Sequence, residues 1–170
     1  MAAVGPVRPR PTVDWAAAVG GLRQSGNQAP RAAASLDPAA VDRTRMPILL
    51  PDDLGLTGGA RIYSFGDQYT VSADIPGGGV SLTGTITTVP LPATARLTMP
   101  DVAEQLVVQR TVDGQLASFV RYGVLYTVEV RCDSPKDARC RSETYVRQLL
   151  AKTTVVVMGK AARQAAGLGG

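Results

Sequence analysis

The chain has 170 residues, 45% of them hydrophobic, a formal net charge of +4 and no histidine. This length allows one domain with a core plus tails, and no apolar run approaches the roughly 20 residues that a transmembrane helix needs. The lack of histidine excludes Ser-His-Asp and Cys-His nucleophilic sites and histidine-based metal sites. We therefore expect a protein that is not an enzyme and that uses no cofactor or metal.

The positive charge is unevenly distributed along the sequence. Residues 46–160 carry 11 Lys or Arg and 11 Asp or Glu, whereas residues 1–45 carry six Arg against three Asp. We interpret the surplus as a property of solvated tails, with weak attraction to anionic lipid or a polyanion as the alternative, and we expect no nucleic-acid partner. A mixed-sign cluster near the end predicts surface ion pairs, with an anion site as the alternative: Arg121, Arg131, Lys136, Arg139, Arg141, Arg147, Asp133, Asp137 and Glu143.

The first part of the chain is rich in Pro, Ala, Arg and Gly, which predicts a flexible tail with at most a short helix around Trp15. Trp15 itself is interpreted as a weak contact with the domain or, alternatively, as an anchor for a partner. Asp37 and Pro38 suit the N-cap and first residue of a helix over residues 38–44. The predicted organisation is a tail at residues 1–36, a single domain at 37–160 and a second flexible tail at 161–170.

From Met46 onward apolar and polar residues alternate with the period of two that is typical of strands. Turn signals at Pro76-Gly-Gly-Gly79, Asp113-Gly114 and Tyr122-Gly123 predict hairpins. The predicted fold is α+β: an antiparallel β-meander sheet of about five to seven strands with a C-terminal helix packed on one face and a final short strand. We predict the strands at residues 47–51, 61–65, 68–75, 80–86, 97–99, 104–112, 115–120, 124–132 and 153–158, and the helix at 142–152.

The two cysteines of the chain, Cys132 and Cys140, predict a disulfide bond. Strand alternation directs Cys132 towards the core, and Cys140 is expected in a loop before the helix, with Ser142 as the helix N-cap. Two unpaired thiols are the alternative. Because disulfides persist in oxidising compartments, we expect a periplasmic or secreted protein in a mature form that has lost its leader, with a cytoplasmic location as the alternative.

Two surfaces of the predicted sheet are candidates for binding. The polar face has no predicted helix to cover it and is either solvated or a partner surface; its residues include Gln68, Thr70, Ser72, Ser81, Thr83 and Thr85. The opposite face forms the core, with an apolar ligand pocket beneath the helix as the alternative, lined by Tyr69, Tyr126, Tyr145 and Leu149. We interpret the acids near the early strands, Asp52, Asp53, Asp67 and Asp74, as solvated side chains rather than a catalytic pair.

The C-terminal third of the chain resembles a known fold. The run Tyr122-Gly-Val-Leu-Tyr-Thr-Val-Glu-Val, followed by Tyr145-Val-Arg-Gln-Leu-Leu and Thr154-Val-Val-Val-Met, resembles the closing strand, helix and strand of Mog1/PsbP-like α+β domains. It is also similar to small uncharacterised exported bacterial proteins that carry a cysteine pair at this place. The resemblance implies an accessory or binding protein and supplies no functional residues.

The sequence therefore predicts a non-catalytic periplasmic or envelope-associated domain that binds a protein partner or supports an assembly. The alternative is a carrier of a small apolar or lipid-like ligand held between the sheet and the helix.

Overall fold

The computed structural model describes residues 13–86 and 106–169. The fold is α+β, as predicted, with a six-stranded antiparallel sheet, a separate two-stranded sheet and several helices. The strand predicted at residues 97–99 lies outside the described residues. Among the described residues, no helix has the length and apolar character needed to cross a membrane.

The elements are numbered in chain order. The helices are α1 (Trp15–Ser25), α2 (Gln28–Ala32), α3 (Pro38–Arg43), α4 (Leu54–Thr57), α5 (Ala138–Arg141), α6 (Thr144–Lys152) and α7 (Lys160–Ala165). The strands are β1 (Ile48–Pro51), β2 (Arg61–Ser64), β3 (Gln68–Ile75), β4 (Gly78–Thr85), β5 (Val107–Arg110), β6 (Gly114–Arg121), β7 (Val124–Cys132) and β8 (Thr153–Val157).

The strand order of the large sheet corrects the predicted single meander. The order is β2-β3-β4-β7-β6-β5, so two three-stranded meanders meet where β4 pairs with β7. That pairing runs from Gly78 opposite Cys132 to Thr85 opposite Leu125. The hairpins were predictable because their strands are close in sequence, whereas the contact between β4 and β7 joins residues far apart in the chain.

Three predicted hairpins are present. Gly77, with φ of +76°, turns β3 into β4, and Tyr122 and Gly123, with φ of 56° and 73°, form the two-residue turn between β6 and β7. Positive φ at both central residues is typical of a type I′ turn. The hairpin predicted at Asp113-Gly114 is also present, but its turn lies one residue earlier in the chain than expected. The Thr111 amide bonds to the Gly114 carbonyl oxygen at 2.9 Å, so Gly114 belongs to the strand and not to the turn.

The apolar face of the large sheet is covered by more than the predicted C-terminal helix. Strands β1 and β8 pair antiparallel, and this two-stranded ribbon lies against the large sheet together with α6. Two buried tyrosines join the sheets: the Tyr126 hydroxyl donates to the Pro47 carbonyl oxygen at 2.7 Å, and the Leu49 amide donates to the Tyr69 hydroxyl at 3.1 Å. The core therefore lies between the large sheet and this ribbon.

Residues 13–36 are more ordered than the predicted tail with at most a short helix around Trp15: they form α1, α2 and a connection that pack on the body of the protein. Ala18 is fully buried, and the Ser25 hydroxyl accepts a hydrogen bond from the Val156 amide at 2.9 Å. Small side chains let α1 approach β8 closely, so Ser25 satisfies an amide on the strand edge that faces away from β1. Trp15 packs against the core as a partly buried side chain. Residues 1–12 lie outside the described ranges.

The predicted C-terminal tail is likewise helical at its start. Helix α7 packs against α3, and Ala162 is fully buried in that contact. The Lys160 amide donates to Asp42 at 3.0 Å, which fixes the beginning of α7. The short helix predicted after Asp37 is confirmed as α3, with the Asp37 side chain accepting from the Ala39 amide. Because α3 offers α7 a packing surface, the chain folds beyond residue 160 instead of fraying.

Candidate functional site

The predicted disulfide is confirmed: Cys132 and Cys140 are bonded, with their Cα atoms 6.1 Å apart. Cys132 lies on the core-facing side of β7, as alternation required, and is partly buried. Cys140 does not lie in a loop, because it belongs to the short helix α5 and is the more buried of the pair. Ser142 ends α5 and does not cap α6, which begins at Thr144.

The bridged loop is tied to the turn between β3 and β4. Arg139 donates to the Pro76 carbonyl oxygen at 2.6 Å, and the Asp133 amide donates to the Gly77 carbonyl oxygen at 2.8 Å. Arg139 also pairs with Asp137, and its hydrogen bonds lower the pKa of that carboxyl group to about 2. These charges therefore serve local structure, as the prediction of surface ion pairs expected.

The predicted apolar pocket is occupied by the protein's own side chains. Tyr69, Tyr126 and Leu149 are buried, and the Tyr126 ring stacks on Phe119 with centroids 5.6 Å apart. Burial raises the pKa of both Tyr69 and Tyr126, so their hydroxyl groups stay protonated and hydrogen-bonded. Tyr145 packs against the core but is only partly buried, and the Arg139 guanidinium lies 5.9 Å from its ring centroid.

A small apolar cleft does exist elsewhere on the inner face. The volume of this cleft is about 20 Å³, which is room for about one water molecule. Drug-sized ligands occupy pockets of roughly 300–1,000 Å³, so this cleft does not match the predicted ligand pocket. Its lining residues are Pro51, Leu56, Thr57, Ala60, Val71, Ala73, Val80 and Leu82.

The early acids also have structural partners. Asp53 accepts from the Gly55 amide at the start of α4 and lies 3.6 Å from the Lys152 ammonium group. Asp67 pairs with Arg45 at 3.1 Å. Within residues 13–86 and 106–169, no group of three or more His, Cys, Asp or Glu side chains is placed to hold a metal ion.

The outer face of the large sheet carries the predicted partner surface. We define the outer face as the outward-pointing side chains of β2, β3, β4 and β7 and of Phe65. The pairing register arranges these side chains in rows that run across the strands. The rows are Phe65, Gln68, Thr85 and Leu125; Tyr63, Thr70, Thr83 and Thr127; and Arg61, Ser72, Ser81 and Glu129.

Small hydroxyl side chains at the centre of the outer face bond to one another across the strands. The Thr70 and Thr83 hydroxyl groups are 3.2 Å apart, and the Thr127 hydroxyl group is 3.3 Å from that of Ser118 on the neighbouring strand β6. Such pairs leave a flat surface whose hydroxyl groups already have partners inside the sheet. The helices that reach the large sheet pack on the opposite side, where Cys140, Val146 and Leu149 are buried.

Large apolar side chains flank this hydroxyl-rich centre. Phe65 is 87% exposed, Tyr63 is 60% exposed and Leu125 is 43% exposed. Sequence reasoning missed all three as candidate site residues. The alternation that buries Ile62 and Ser64 was a usable signal for Tyr63 and Phe65, but the position of Leu125 on the same surface required the pairing of β4 with β7.

Comparison of the chain with protein-family models, curated protein sequences and solved structures found no match. The resemblance to Mog1/PsbP-like domains therefore stays a prediction, and we infer function from the surfaces described above.

Proposed function

We propose that this protein is a non-catalytic domain of the bacterial cell envelope that binds a protein partner through the outer face of its large sheet. The observation that carries the proposal is the exposure of Phe65, at 87%, beside Tyr63, at 60%. Aromatic side chains are enriched at protein interfaces and are costly to leave in water. A flat centre of small hydroxyl side chains suits contact with a broad protein surface better than capture of a small molecule.

The cell-envelope location is part of the same proposal. The bond between Cys132 and Cys140 supports it, since structural disulfides are rare in the reducing cytosol. The carrier alternative has less support, because Tyr69, Tyr126 and Leu149 fill the space that a ligand would need.

Site-specific photo-crosslinking in cells tests the proposal. A photo-reactive phenylalanine analogue replaces Tyr63 on the outer face, and the matched control replaces Leu54, which is 57% exposed on α4. We expect a discrete crosslinked protein product from position 63 and not from position 54. Crosslinking that is absent at position 63, or equally strong at both positions, would count against the outer face as a binding surface.

A further inference from the structure

We propose that the partner of the outer face is a second copy of this chain, packed face to face about a two-fold axis that runs parallel to the strands between β3 and β4. This inference rests on the proposed function, because it names the protein that covers the outer face. The observation behind it is that two pairs of outer-face residues, the charged pair Arg61 and Glu129 and the apolar pair Phe65 and Leu125, lie at matching distances on opposite sides of the seam between β3 and β4.

The charged row gives the first complementary pair. Arg61 on β2 is opposite Ser72 on β3, Ser72 is opposite Ser81 on β4, and Ser81 is opposite Glu129 on β7. Arg61 and Glu129 therefore lie equally far from the seam, on opposite sides of it. A two-fold rotation about the seam exchanges β2 with β7, which sets Arg61 of each copy over Glu129 of the other. Neither side chain forms an ion pair within its own copy among the described residues.

The apolar row gives the second pair. The Phe65 amide bonds to the Gln68 carbonyl oxygen at 2.8 Å, Gln68 is opposite Thr85, and Thr85 is opposite Leu125. The same rotation sets Phe65 of each copy over Leu125 of the other. Both are among the large apolar side chains that the described surface exposes. Oppositely charged groups and apolar groups thus meet under one symmetry operation, and each contact occurs twice because the interface is isologous.

Burying the centre of such an interface costs little free energy. The rotation places Thr70 over Thr83 of the second copy, and these hydroxyl groups are already bonded to each other within each sheet at 3.2 Å. Small side chains also allow the roughly 10 Å separation of stacked sheets. Stacked sheets with aligned strands cross at about −30°. At the distance of β2 from the two-fold axis, this angle shifts a residue relative to the one it faces by about one residue along the strand. The Arg61 side chain is long enough to span that shift.

Other exposed apolar residues lack this arrangement. Leu54 lies on α4, Val112 lies in the turn between β5 and β6, and Leu168 follows α7. None of these three belongs to the rows of the outer face. Val107 on β5, which is 48% exposed, continues the middle row through Ser118, but the large sheet has no strand beyond β2 that could supply its counterpart across the seam. Leu54 is therefore a suitable control position.

Sedimentation of the purified full chain over a concentration series tests the proposal. We expect a dimer that dissociates on dilution. Arg61→Glu and Glu129→Arg should each weaken it by at least about tenfold, because each places like charges in contact twice. The double variant Arg61→Glu with Glu129→Arg should restore wild-type association. Phe65→Asp should also weaken the dimer, whereas Leu54→Asp should not, and circular dichroism confirms that each variant is folded.

Two results would overturn this inference. One is a wild-type chain that remains monomeric up to about 1 mM, which corresponds to an association too weak to be specific. The other is a double variant that fails to recover the association that each single variant loses. If the chain is monomeric but position 63 crosslinks to a different protein, the second copy is rejected and the proposed function stands. If it is monomeric and position 63 crosslinks to nothing, both proposals fail.

Discussion

Tyr126 joins the two sheets through one buried hydroxyl group. It donates to the Pro47 carbonyl oxygen at 2.7 Å from a fully buried position on β7. Tyr126→Phe leaves that carbonyl without its donor, so we expect the free energy of unfolding to fall by about 1–3 kcal/mol in urea denaturation. The control Tyr63→Phe removes an exposed hydroxyl group and should change it by less than about 0.5 kcal/mol. Equal stability of the two variants would reject the tyrosine as a link between the sheets.

The disulfide offers a second test on individual residues. In the chain-entropy model the short loop between Cys132 and Cys140 is worth roughly 2–3 kcal/mol, so replacing both cysteines with serine should lower the free energy of unfolding by about that amount. Mass spectrometry of unreduced protein from an oxidising compartment should show the loss of two hydrogen atoms. Free thiols in that material would show that the two cysteines are not bonded, and the envelope location would lose its support.

The same pair shows what a sequence predicts at this scale. Cys132 continues the alternation of Tyr126, Val128 and Val130, so its direction followed from the period of a strand. Cys140 lies in a helix of four residues, which is too short to produce a helical period, and its burial depends on the Val130 carbonyl and Gln115 beside it. Local pattern therefore predicted the first side chain and not the second.

At the scale of elements, a helix around Trp15 was predicted, but the packing of α1 on the body of the protein was not. Five of the eleven residues of α1 are Ala or Gly, so the apolar area that usually reveals an amphipathic helix is small. What attaches it is the Ser25 hydroxyl, which accepts from the Val156 amide at 2.9 Å, together with the Asp14 amide, which donates to the Tyr122 carbonyl oxygen at 2.8 Å. A sequence pattern does not reveal hydrogen bonds of this kind.

We expect Ser25→Ala to lower the free energy of unfolding by about 1–3 kcal/mol, because it leaves the buried Val156 amide unpaired. Gln24→Ala changes a neighbouring exposed residue of the same helix and should have little effect. Removal of residues 1–26 should lower the free energy of unfolding by more than Ser25→Ala does, since it also exposes the edge of β8. Thermal unfolding by circular dichroism compares the three. A truncated chain that melts with the wild type would restore the flexible-tail interpretation.

For the whole molecule, the sequence predicted the α+β class, the hairpins and the hydroxyl residues of the outer face, because each depends on local alternation and turn chemistry. It did not predict that β4 pairs with β7, because that pairing joins residues distant in the chain. That pairing brings Leu125 and Glu129 onto the same surface as Phe65 and Arg61. The candidate site was therefore predictable as a polar face but not as a surface with complementary apolar and charged positions.

Side-chain footprinting with hydroxyl radicals is the most direct test of the outer face as a binding surface. It compares the purified chain at high dilution with the chain in the cell-envelope fraction in which the proposed function places it. We expect oxidation of Tyr63 and Phe65, which are 60% and 87% exposed, to fall several-fold in the envelope fraction. Leu54 and Val112, exposed away from the outer face, should react equally in both samples. Unchanged oxidation of Tyr63 and Phe65, with protection at Leu54 or Val112 instead, would contradict the claim.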